Sequence, residues 1–350
     1  MERIALIFKY FPPGKRLSGL VSFASLLVRE LARRFELHIF SQCHRREAEK
    51  YSAAESCVLH AVPAPFWPIV GAYVRAVGAD RVILVSGVHK AAFLYPVFRP
   101  VLAELRTSTP VYFYQGTVLD QPPGRLGYRL LRQFDGVFCA YQRLVQLLDK
   151  QINGRCYYLP PGINVDEIRA TPKVDKGAKI RIGYFNHFNH VKGFDLALKA
   201  FHALPYNDTE YILAGKGPLE KFAKNRYHHN QRIYIKGMLR NPIMEMKACD
   251  FVLLPFRQSV SVLGISQTAL ECLAAGVPVI GSNVEVITAA IRHEKEGLIF
   301  HHPEEIVDCI RKLHDDESLR FKFSVNSAKR AESFRLEQVV EKMDEIIHKD

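Results

Sequence analysis

The run Gly264-Ile265-Ser266-Gln267-Thr268-Ala269-Leu270-Glu271 joins a glycine-bearing loop to an apolar helix that stops at Gly276, ahead of a β-branched run at 277–281. Free backbone N–H groups at a helix start, reinforced by the helix dipole, hold phosphate oxygens, and a glycine lets a ligand come close. Gly264, Ile265, Ser266 and Gln267 are therefore candidate phosphate ligands. Glu271, about two turns on, is placed to accept hydrogen bonds from ribose hydroxyls once a diphosphate is anchored at the helix start. Read for packing alone, the same segment is a buried helix ended by Gly276.

A second group lies in Asn186-His187-Phe188-Asn189-His190-Val191-Lys192-Gly193, between a strand-like run at 180–185 and an amphipathic stretch. Strand C-termini in open α/β sheets line the ligand crevice, so Lys192 is set to neutralise a diphosphate leaving group. A third, Gly215-Lys216-Gly217-Pro218, is a tight turn after another strand-like run and is a weaker phosphate loop.

The elements that would carry these residues alternate. Short β-branched or aromatic runs at 4–8, 37–40, 81–85, 111–114 and 136–140 are separated by helical periodicity, including a helix at 20–34 and one with Leu126, Leu130 and Phe134 on one face. This is the pattern of parallel sheets covered by helices. Residues 160–179, with Pro160-Pro161-Gly162 and Thr171-Pro172-Lys173, read as a linker. Strand-like runs resume at 180–185, 211–214, 233–235, 251–254 and 277–281. We expect a first Rossmann-like domain over 1–160, with the terminal helix at 334–350 packing back on it, and a second over 161–333.

A chain of 350 residues with 48% hydrophobic content can bury two such cores. No stretch approaches the ~18 apolar residues of a membrane span, and the first residues run into a strand instead of a signal peptide, so a cytoplasmic protein is expected. The seven cysteines form no C-x-x-C pair, so neither a zinc site nor a disulfide framework is indicated and we expect reduced, mostly buried thiols. Residues 1–160 carry 21 Lys and Arg against 11 Asp and Glu, whereas the remainder carries 27 against 25. The basic half includes Arg29, Arg33 and Arg34. With the apolar stretch 63–70, which contains Phe66 and Trp67, it suggests docking on the inner, anionic face of a membrane. The competing reading packs Phe66 and Trp67 in the core. Nucleic acid is not an expected partner, because exposed aromatics do not interleave with the basic residues.

In order and spacing these segments resemble the retaining GT-B glycosyltransferases of family 4, the glycosyl transferases group 1. The resemblance rests on Pro161-Gly162-Ile163-Asn164-Val165-Asp166, Lys192-Gly193, Gly215-Lys216-Gly217-Pro218, Cys249-Asp250 through Pro255, Leu270-Glu271 with Gly276-Val277-Pro278-Val279-Ile280, then Glu285 and Glu296-Gly297-Leu298-Ile299-Phe300. Pro12-Pro13 and Ser18-Gly19 look like the family's N-terminal glycine loop.

The resemblance implies a GT-B fold, two Rossmann-like domains facing each other across a cleft. It implies a nucleotide-sugar donor on the second domain and a glycan or lipid-linked acceptor on the first. It also implies transfer with retention and no metal or other cofactor. Lys192 and His187 would then be catalytic, with His89 a nearby candidate. Gly19, Gly215, Gly217, Pro218, Gly264, Ile265, Ser266, Gln267 and Glu271 would bind the donor, and Ser18, Gln115 and Gly116 would lie on the acceptor side. Three positions depart from the pattern. Leu263 stands where the family has the first of two Glu, leaving Ser259, Ser261 or main chain to hold the sugar. His187 stands for an Arg, and Gln115 for a His. The alternative they favour is a catalytically silent GT-B paralogue that binds nucleotide or scaffolds a partner enzyme.

Overall fold

The computed structural model describes residues 1–8, 11, 19–88, 95–119, 121–259 and 263–349. The chain divides into two compact units, one of residues 1–162, 260–264 and 336–350, the other of residues 163–259 and 265–335.

The first unit contains β1 (Arg3–Phe8), α1 (Gly19–Leu31), β2 (Glu36–Ser41), α2 (Arg45–Ala54), β3 (Val58–Ala61), α3 (Phe66–Ala76) and β4 (Arg81–Ser86). It continues with α4 (Tyr95–Leu105), β5 (Val111–Gln115), α5 (Arg125–Leu131), β6 (Gly136–Cys139), α6 (Gln142–Leu148) and β7 (Cys156–Tyr158). The strands form one parallel sheet in the order β3-β2-β1-β4-β5-β6-β7. Its central strands are apolar on both faces, as a sheet covered on two sides requires: Ile4, Leu6, Ile39, Ile83, Phe113 and Phe138 are fully buried.

The second unit begins within the expected linker. Asn164 caps α7 (Val165–Ala170), its side chain accepting from the Glu167 amide at 3.0 Å, so the Pro-rich segment yields a helix after Gly162. There follow β8 (Ile180–Phe185), α8 (Phe194–Ala203), β9 (Thr209–Ala214), α9 (Glu220–Tyr227), β10 (Ile233–Gly237), α10 (Pro242–Met246) and β11 (Phe251–Leu254). Then come α11 (Gln267–Ala275), β12 (Val279–Ser282), α12 (Glu285–Thr288), β13 (Gly297–Phe300), α13 (Ile306–Asp315) and α14 (Glu317–Ala331). The parallel sheet runs β10-β9-β8-β11-β12-β13. In each unit the winding reverses beside the first strand, between β1 and β4 and between β8 and β11, and such points are where open α/β sheets bind ligands.

The terminal helix α15 (Leu336–Ile347) lies in the first unit. Leu336, Val340, Met343 and Ile347 recur at three- and four-residue spacing and are buried in the core that holds α1 and β1. Arg34 pairs with Glu341 at 3.0 Å, and the Tyr112 hydroxyl donates to the Ile347 carbonyl at 3.3 Å.

Three sequence readings need correction. Phe66 and Trp67 open α3 and are 3% and 7% exposed, so the two rings pack in the core, as the competing reading had it, while Pro63, Ala64, Pro65 and Pro68 around them are exposed. Arg29, Arg33 and Arg34 are held in ion pairs with Glu55, Glu30 and Glu341, an arrangement that a count of charges along the chain does not show. Leu126 is 55% exposed while Leu130 and Phe134 are buried, and α5 ends at Leu131, so Phe134 reaches the core from the turn beyond the helix. The thiols are free and five are buried. Among the described residues no helix is long and apolar enough to cross a membrane.

Candidate functional site

The carboxyl ends of β8 and β11 carry the residues with the most unusual environments. Beyond β8 the chain folds into a knot. The Tyr184 hydroxyl donates to the carbonyls of His187 at 2.9 Å and Lys192 at 3.2 Å, and the Lys192 amide donates to Asn189 Oδ1 at 2.8 Å. Phe188 and Phe194 stack at 4.0 Å beneath it. Gly193 has φ 66°, and a Cβ there would lie 1.7 Å from the Pro255 carbonyl oxygen, so only glycine lets this loop close on the end of β11.

Lys192 rises from that loop with its Nζ 3.8 Å from the centre of the Phe256 ring. Burial lowers its ammonium from the usual range to about 7. No carboxylate among the described residues pairs with it. A cation held dry over an aromatic face, without an anion of its own, is ready for an incoming one. His187 is on the same loop and exposed.

The turn at 215–218 braces this loop. A Cβ on Gly215 would meet the Asn186 carbonyl oxygen at 2.0 Å, and one on Gly217 would meet that of Phe188 at 2.5 Å. The Phe188 amide donates to the Lys216 carbonyl at 3.0 Å. These glycines therefore permit close packing of two loops, and Pro218 is exposed beside them.

Helix α11 starts at Gln267, with Ser266 as N-cap accepting from the Ala269 amide at 3.4 Å. Its first amides have no acceptor within the helix. Thr268 ties it to β8, its Oγ1 donating to the Phe185 carbonyl at 3.2 Å and accepting from Asn186 Nδ2 at 3.3 Å. Gln267 is buried and its Oε1 has no partner. Glu271 sits one turn into the helix, closer to its start than the sequence reading put it, and burial raises its carboxyl to about 7.

Two of the expected phosphate ligands are engaged elsewhere. The Gly264 amide donates to the Gly116 carbonyl at 2.9 Å and the Ser266 amide to that of Val286 at 2.8 Å. Gly264 and Leu263 belong to the first unit, where a Cβ on Gly264 would strike the Ala140 carbonyl oxygen at 2.4 Å and Leu263 pairs with Thr117. That leaves Ile265 as the link to the helix and the Gln267 and Thr268 amides at its start. Ser259 Oγ accepts from the Val286 amide, and Ser261 lies outside the described residues.

In the first unit Gln115 is 1% exposed and fully used. Its Oε1 accepts from the Val88 amide at 2.7 Å and its Nε2 donates to the Thr117 carbonyl at 2.7 Å. It is a clamp between the ends of β4 and β5, with Gly116 beside it. Gly19 opens α1, whereas Ser18 and His89 lie outside the described residues. Sequence reading gave no role to Asn186, Thr268 or Phe256. An Asn directly after a strand and a Thr at the second position of a helix were the available signals.

Residues 165–330 match the family of glycosyl transferases group 1. A stretch of 91 residues is 33% identical to the D-inositol 3-phosphate glycosyltransferase of Paenarthrobacter aurescens (strain TC1), covering 25% of this chain and 21% of that protein. The chain thus matches about a fifth of the length of that curated relative. Over 100% of both chains the structure is similar to Anabaena Alr3699/HepE in complex with UDP, with a TM-score of 0.77 and 14% identity. It is also similar to WaaG, a glycosyltransferase involved in lipopolysaccharide biosynthesis, with a TM-score of 0.70 and 18% identity over 99% of each chain. Residues 165–330, within the second unit, thus match the glycosyl transferases group 1, and the two Rossmann-like domains have the GT-B architecture of these solved structures.

Proposed function

We propose that the chain transfers a sugar, with retention, from a nucleoside-diphosphate sugar held by the second domain to a glycan or lipid-linked hydroxyl acceptor bound by the first. One observation carries the reading: an anion-free, desolvated Lys192 and the amide-bearing start of α11 are tied to the same strand end, the first through Tyr184 and the second through Thr268. Lys192, with His187 beside it, takes up charge as it grows on the diphosphate. The Gln267 and Thr268 amides add fixed dipoles, and Glu271 accepts from the ribose. The departing phosphate oxygen helps to deprotonate the acceptor on the same face, so the protein's part is positioning and charge stabilisation without a metal. The UDP bound by HepE and the lipopolysaccharide role of WaaG suit a nucleotide donor and an envelope or lipid-linked acceptor.

A place on the inner membrane face follows from the acceptor class. The exposed Leu126 of α5, flanked by Arg125 and Arg129, replaces the 63–70 stretch as the surface to test. Incubation with UDP-, GDP- and ADP-sugars, scoring hydrolysis and transfer to lipid extract, tests the reading. Turnover with one donor supports it, whereas nucleotide binding without any turnover points to the silent paralogue.

A further inference from the structure

We infer that Arg257, a residue no motif marks, is a positioning residue for Lys192. Just beyond β11, its guanidinium forks onto Asp195, Nη1 to Oδ1 at 2.6 Å and Nη2 to Oδ2 at 2.7 Å. The same Nη1 donates to the His190 carbonyl at 2.9 Å, and the Arg257 amide donates to that of Val191 at 3.0 Å. His190 Nδ1 lies 3.2 Å from Asp195 Oδ1. Residues 190, 191 and 193 are thus each held against 255–257, and Lys192 hangs between them with Nζ over Phe256.

The arrangement uses what only an arginine supplies. A planar fork reaches both oxygens of one carboxylate and a carbonyl at once, whereas an ammonium is a single point of charge. Arg257 is spent on Asp195 and the loop, so it does not stand in for the Arg that His187 replaces. It fixes the backbone from which the desolvated Lys192 projects. A four-carbon stem has many rotamers, and freeing its base would let Lys192 swing into water.

The inference rests on Lys192 as the cation that meets the diphosphate, and the experiment separates the two. Full-length wild type, R257A, R257K, D195N, K192A and R257A/K192A are titrated calorimetrically with UDP, GDP and ADP from neutral to alkaline pH, and turnover is measured with the matching sugar donors. R257A is expected to lose turnover roughly ten- to a hundred-fold, R257K to rescue little of it, and R257A to add nothing in the K192A background. The alkaline limit of binding should move upward in R257A, because a released Lys192 regains hydration. The titratable and charged groups on its loop or tied to that loop are His187, His190, Asp195 on α8, Tyr184 on β8 and Arg257. D195N keeps the shape of the site while removing the charge, and should behave as R257A does.

Full rescue by R257K, an additive loss in the double variant, or an unmoved alkaline limit would overturn the inference and leave Lys192 in place. Wild-type affinity in K192A, or no nucleoside diphosphate bound by the wild type, would overturn the reading of Lys192 and this inference with it.

Discussion

Thr268 Oγ1 donates to the Phe185 carbonyl at 3.2 Å, so a side chain in the first turn of α11 closes the backbone at the end of β8. The same oxygen accepts from Asn186 Nδ2. Thr268→Val keeps the shape and removes both bonds. We expect a loss of about 1–2 kcal/mol of stability and weaker nucleoside-diphosphate binding, with Thr268→Ser close to wild type. Denaturant unfolding and calorimetry on the three proteins check this. Unchanged nucleotide affinity in Thr268→Val would separate the tie from the site.

Lys192 gives a pH signature with a definite sign. Burial holds the ammonium near 7, so it is charged below that pH and neutral above it. A bound diphosphate stabilises the charged form, so binding above neutrality must take up a proton, and affinity falls by up to ten-fold per pH unit there. Calorimetry in two buffers of different ionisation enthalpy reads the proton directly. Lys192→Met should bind more weakly, with no uptake.

Glu271 predicts a conflict between stability and binding. Its carboxyl is raised from an ordinary 4.5 to about 7 by burial. The folded state therefore holds the proton more tightly than the unfolded chain. That contribution is fully present below 4.5 and is lost as pH rises through 7, above which a buried charge is carried without a partner. Glu271→Gln should leave stability unchanged in acid and raise it by roughly 1–3 kcal/mol above neutrality, while weakening nucleotide binding. Melting curves at acid and alkaline pH, with parallel titrations, test both halves. Greater stability with undiminished affinity would make Glu271 a packing residue only.

What was legible in the sequence was whatever repeats along it. The strands at 180–185 and 251–254 lie where β-branched and aromatic runs put them, since a parallel strand covered on both faces must be apolar throughout. Three short strands, β3, β7 and β13, went unread because three or four residues carry too little pattern. Lys192 stood out by its place after a strand, but its desolvation depends on Phe256, 64 residues on. Gly264 looked like a phosphate ligand because a glycine before a helix usually leaves its amide open. Here a partner 148 residues away in sequence, the Gly116 carbonyl, takes that amide. Charge along the chain likewise does not show pairing, since the partners of Arg29 and Arg34 are Glu55 and Glu341.

Gln115 stands where the family has a His, which suggests that restoring the His would raise activity. The geometry argues otherwise. The carboxamide accepts from the Val88 amide through Oε1 and donates to the Thr117 carbonyl through Nε2, two roles about one carbon in a wholly buried place. Imidazole divides its donor and acceptor across a ring of different width, so Gln115→His leaves at least one buried main-chain group unpaired, at a cost of about 1–3 kcal/mol. Gln115→Glu keeps the bond to Val88 but sets a carboxylate oxygen against the Thr117 carbonyl, and should be worse above neutral pH than in acid. Neither change touches the second domain's residues, so nucleoside-diphosphate affinity should stay within about two-fold of wild type where the variant remains folded. Melting temperature, nucleotide titration and turnover on the two variants decide the matter. A rise in turnover for Gln115→His would show that the position is catalytic and that the clamp is dispensable.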